Sequence, residues 1–172
     1  MSRLYCRIAA GSALIALLAL AWTSGARAQA QLPADIAAPG EKEVISLLAQ
    51  GAQIYECAAT KDGKFAWSFR EPIATLLLKG KTVGRHYAGP HWEYMDGSVV
   101  GAKAAGRAPG KAAKDIPWLK LAATSHGGKG MFSDVITVQR INTEGGQLEG
   151  ACSTVGTFNS VPYSADYVFL KK

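Results

Sequence analysis

The chain has 172 residues, 48% of them apolar, with 19 Lys and Arg against 13 Asp and Glu. That length suits one core and one domain. Without Arg3, Arg7 and Arg27, which lie in a leader described below, 16 basic residues face the same 13 acids, a net charge of +3. Such a balance is no nucleic-acid footprint.

Residues 1–28 have the order of a secretory signal. Arg3 and Arg7 precede an apolar run from Ile8 to Trp22, and Ala26-Arg27-Ala28 supplies a small-x-small cleavage site at Ala28. Ala28-Gln29-Ala30 offers a second site two residues on. The run is shorter than the roughly 20 residues a spanning helix needs, so no transmembrane span is expected after cleavage. Cys6 leaves with the leader. Cys57 and Cys152 remain, an even pair expected to form a disulfide in a secreted or periplasmic setting.

Residues 29–42 are rich in Ala and Pro and read as a loosely held lead-in. Glu41–Gln50 is expected as a short helix, since Val44, Leu47 and Leu48 share a helical face and Gly51 can end it. Alternation then takes over. Phe65, Trp67 and Phe69 alternate with Ala66, Ser68 and Arg70, and Asp62-Gly63 joins that strand to Gln53–Ala59 as a hairpin. Lys79-Gly80-Lys81 separates Ile73–Leu78 from Thr82–Ala88, and Asp96-Gly97 separates His91–Met95 from Ser98–Ala104. Further strands are expected at Ile116–Thr124, Asp134–Ile141 and Ala165–Leu170. About nine short strands at this spacing predict an all-β, antiparallel sandwich or barrel over residues 43–172, sandwich preferred.

Gln53-Ile54-Tyr55-Glu56-Cys57, His86-Tyr87-Ala88-Gly89-Pro90, Trp92-Glu93 and Asp96-Gly97-Ser98 form a string of motifs. It continues through Ile116-Pro117-Trp118-Leu119, Ser125-His126-Gly127, Gln139-Arg140-Ile141-Asn142-Thr143 and Pro162-Tyr163-Ser164-Ala165-Asp166-Tyr167. This string resembles the domain of unknown function 3455 family, small exported proteins of bacteria and fungi, over residues 43–170. The resemblance implies no activity, substrate or catalytic residues. His91 departs from its pattern, which is expected to have a small or polar residue there.

The densest polar group is His86, His91 and Glu93, interleaved with Tyr87, Trp92 and Tyr94. On a strand His91 and Glu93 face the same way. With His126 they could ligate a metal, or the pair could transfer protons; structural and surface roles are the commoner outcome. Ser125 cannot readily be activated by its own neighbour His126, because adjacent strand residues diverge. Arg140 could meet a ligand carboxylate, or Glu93 or Asp166 within the fold. Trp92 and Trp118 could stack on a sugar or fill the core. Lys103, Arg107, Lys111 and Lys114 read as a solvated loop, or as a contact surface for anionic envelope material. No nucleophile elbow, phosphate loop or zinc pattern occurs.

The expectation is therefore an exported, monomeric, non-enzymatic binding module for a small molecule or an envelope polymer, with its site near His86, Trp92, Glu93, His126 and Arg140. Its alternatives are a metal-assisted hydrolase using His91, Glu93 and His126, and a structural envelope protein. No cofactor is assigned.

Overall fold

From Lys42 onward the inward positions recur at every second residue. Leu47, Ala49, Gln53, Tyr55 and Cys57 are all buried along one face of an extended segment. The computed structural model describes residues 32–172; the leader and Ala28 lie outside them. After a short 3-10 turn at Ala34–Ile36 come eight strands: β1 (Lys42–Ala59), β2 (Phe65–Leu78), β3 (Lys81–Tyr87), β4 (His91–Tyr94), β5 (Val99–Ala108), β6 (Trp118–Gly127), β7 (Thr137–Gly145) and β8 (Phe158–Lys171). Each pairs antiparallel with the next, and β8 returns to β1, closing a barrel.

Three expectations change. The helix at Glu41–Gln50 is absent: its residues form the first half of β1, paired to β2 on one side and β8 on the other. Local preference of Glu, Leu and Ala for helix yields there to two long-range ladders. Eight strands replace nine, because Phe65–Arg70 and Ile73–Leu78 run together as β2. The barrel replaces the preferred sandwich. Both obey the same alternation, but register shifts at Ile54/Tyr55, Gly101/Ala102 and Ile141/Glu144 bend the strands enough for the sheet to close on itself.

The core fills the lower half of the barrel. Trp92, Phe132, Tyr167 and Phe169 are almost wholly buried, and Phe132 stacks on Phe169 with ring centres 4.2 Å apart. Phe132 comes from the β6–β7 loop and plugs that end. Asp96 ties the loop down, accepting from Met131 N at 2.7 Å, while Ser98 Oγ accepts from Phe132 N at 3.1 Å.

The lead-in is anchored where the structure describes it. Ile36 is fully buried against β5 and β6, Gln139 donates to its carbonyl at 2.6 Å, and Lys120 donates to the carbonyl of Ala37 at 2.9 Å. Gly106 permits that approach, since a Cβ there would collide with the backbone oxygen of Asp35. The disulfide joins Cys57 at the end of β1 to Cys152 in the β7–β8 connection, with Cα atoms 5.8 Å apart. Among the described residues no helix is long and apolar enough to cross a membrane.

Candidate functional site

The end of the barrel away from the Phe132 plug is open. Inward residues from six strands, Gln53, His86, Trp92, Leu121, Arg140 and Tyr167, line a cavity of about 580 Å³ there. Phe69, Pro72, Pro90 and Leu119 make its upper wall apolar. A neighbouring hollow of about 620 Å³ shares Gln53, Phe69, Ala104, Leu119 and Arg140 with it, and extends toward Tyr55, Trp67 and Leu148. Eight-stranded barrels have room for side chains or for one small ligand, and these volumes lie in the range of small-molecule sites.

The β3–β4 hairpin sorts the histidines. Its register places His86 opposite Trp92 and Tyr87 opposite His91. His86 and Trp92 turn inward and stack, rings nearly parallel with centres 4.4 Å apart. His86 Nδ1 lies 2.8 Å from the carbonyl of His91, where it donates. Burial drives its pKa down to about 3, against the hydrogen bond to the His91 carbonyl and with Arg140 adding to the effect, so the ring is neutral at ordinary pH.

His91 and Glu93 face outward together, as the strand spacing requires. Glu93 is held by Arg85, whose Nη2 lies 2.7 Å from the carboxylate. The His91 ring stacks beside Tyr87, and its Nδ1 lies 2.9 Å from the Ala88 carbonyl. His126 Nε2 instead lies 2.7 Å from the carbonyl of Val135. The structure does not unite His91, Glu93 and His126 in one ligand set, and among the described residues no three His, Cys, Asp or Glu side chains could hold a metal together. Ser125 approaches His91 across Gly101, two strands away, rather than its own neighbour His126.

Arg140 reaches neither Glu93 nor Asp166. Asp166 accepts from Asn142 at 2.9 Å, while Arg140 turns one edge to the Pro117 carbonyl, its Nε at 3.1 Å and Nη2 at 2.9 Å. Trp118 is half-buried outside the cavity, with Lys111 Nζ 5.9 Å from its ring centre, so it shares no platform with Trp92.

Of the residues singled out from sequence, His86, Trp92 and Arg140 therefore meet in the cavity, whereas Glu93 and His126 do not line it. The structure adds Gln53 and Tyr167 to the lining, with Tyr163 buried beside them. Gln53 Nε2, Trp92 Nε1, Tyr163 Oη and Tyr167 Oη are buried with no hydrogen-bond partner. Burial raises the pKa of both tyrosines, so their hydroxyls remain protonated donors. Tyr163 lies within weak hydrogen-bonding reach of Tyr167 and Gln53, and Tyr167 within that of Arg140, but none of these contacts has the geometry of a well-formed hydrogen bond. A signal for them existed in the sequence: Gln53 interrupts the inward row of β1 with an amide, and Tyr163 and Tyr167 share a period-2 row in β8.

The family described as protein of unknown function (DUF3455) matches residues 38–171. No curated protein and no solved structure matches the chain.

Proposed function

We propose, from the premise that the chain belongs to the domain of unknown function 3455 family, that it is an exported binding protein holding one small molecule in the open end of its barrel. The observation that carries this reading is the set of buried, unpartnered polar atoms gathered at one cavity, Gln53 Nε2, Trp92 Nε1 and Tyr167 Oη. Each orphaned buried donor costs about 1–3 kcal/mol. Three at one end of a small barrel are best explained by a bound partner that satisfies them. Export rests on the leader ending at Ala28 and agrees with the Cys57–Cys152 bond, which is of a kind that persists in oxidising compartments.

Native mass spectrometry of protein taken from its own compartment tests the reading. A retained mass that is lost from an Ala104→Trp variant is the expected result, because Ala104 lines the mouth and an indole would fill it. An apo mass, together with no thermal shift across a metabolite panel, would overturn it. The same spectra report whether the mature chain begins after Ala28.

A further inference from the structure

Resting on that reading, we infer that the ligand is an organic carboxylate with a flat or extended apolar body, its charged head seated at Arg140 and Tyr167. The charges around the cavity set the sign. Arg140, Lys103 and Arg70 line it, and no Asp or Glu does. Arg70 has a nearby acid in Glu71, at 3.4 Å, and stacks over Phe158. Arg140 and Lys103 have no ion pair among the described residues. A cationic ligand would find no acid on this lining to pair with, Glu149 lying on the neighbouring hollow. A neutral one would leave the half-buried guanidinium without a counter-charge, at the cost attached to any desolvated, unpaired ion.

The donors agree with the charge. A guanidinium presents five N–H groups on two usable edges, and Arg140 turns its Nε/Nη2 edge to the Pro117 carbonyl. The other edge is left for a carboxylate. Gln53 Nε2 and Trp92 Nε1 can only donate, and the Tyr167 hydroxyl can do so as well. One deep cation among neutral donors suits a single negative charge; a phosphate dianion would call for a second cation at the same depth, and Lys103 and Arg70 are exposed at the rim. Phe69, Pro72, Pro90 and Leu119 then take the apolar body.

Calorimetry with two matched pairs, naphthoate with its methyl ester and decanoate with its methyl ester, tests the inference. Each ester keeps the body and removes the charge. For the wild-type chain the acids are expected to bind at least about tenfold tighter than their esters, as one charge-assisted hydrogen-bonded head provides. Arg140→Gln should erase that difference by weakening the acids and leaving the esters unchanged. Tyr167→Phe, which removes only an oxygen, and Lys103→Gln at the exposed rim should each weaken the acids several-fold, and they keep the test decisive if Arg140→Gln fails to fold. Acids and esters that bind equally, with all three variants indifferent, would overturn the carboxylate assignment and leave the cavity reading standing. No binding of any probe tighter than about 1 mM, an interaction of roughly 4 kcal/mol, would overturn both.

Discussion

Acidification should unfold this protein through His86 before its carboxylates matter. The ring is buried, stacked on Trp92 and held neutral, with its pKa pushed to about 3 from an ordinary 6.5. The unfolded chain therefore takes up this proton first as the pH falls. Stability is fully present above about 6.5 and is lost progressively toward 3, since the unfolded state binds more protons throughout that window. Each pH unit inside it costs about 1.4 kcal/mol, so some 2 kcal/mol has gone by about pH 5, a large fraction of a small domain's margin. Urea unfolding at a series of pH values, on wild type and on His86→Phe, measures the slope. Phenylalanine retains the stack on Trp92 but cannot titrate, and the comparison cancels every other ionising group. The wild-type free energy should fall more steeply by about 1.4 kcal/mol per pH unit, while the variant starts lower because the His91 carbonyl loses its donor. Identical slopes, or a ring proton resonance showing His86 titrating near its ordinary value, would refute the reasoning.

Three further outcomes are expected. Replacing Cys57 and Cys152 together by Ala opens a loop spanning 95 residues and should lower stability by up to about 4–5 kcal/mol in the chain-entropy treatment, read by urea titration; an unchanged midpoint would show that the bond constrains little. Ile36→Ala should cost about 2–3 kcal/mol and bring rapid amide exchange to residues 33–38, because one buried side chain and two side-chain donors hold that segment. Glu93→Gln should leave the thermal midpoint within error, since its partner Arg85 is exposed and such surface pairs contribute little; a marked loss would mean that Glu93 has a role the geometry does not account for.

Much of the fold was legible because it is written in nearest neighbours. Asp62-Gly63 and Asp96-Gly97 mark hairpins, and Gly63 and Gly97 do adopt positive φ, 77° and 82°. The alternation of Phe65, Trp67 and Phe69 matches a row that meets Tyr55 edge-on, ring centres 5.8 Å apart. What stayed hidden was non-local. Leu47 and Leu48 satisfy a helical stripe and a strand equally well, and only the pairing with β2 and β8 decides between them. The candidate site was half visible for the same reason. Gly89-Pro90 concealed which way His86 and His91 face until the hairpin register fixed it. Arg140 was expected to find an acid, but Asp166 lies one position out of phase, opposite Ile141, and so faces away from the lumen. Gln53 and Tyr163 acquire meaning only when opposite ends of the chain are brought together.

That meeting has a kinetic side. The seam of the barrel is the pairing of Lys42–Glu56 with Phe158–Lys171, so closing it joins segments more than a hundred residues apart. Until β8 has been synthesised, the 18-residue β1 has a bare ladder along one edge. Such an edge can recruit the wrong strand, from the same chain or from another copy. Closure is therefore expected to be the slow, concentration-sensitive step of refolding, and a refolding yield that does not fall as protein concentration rises would refute this.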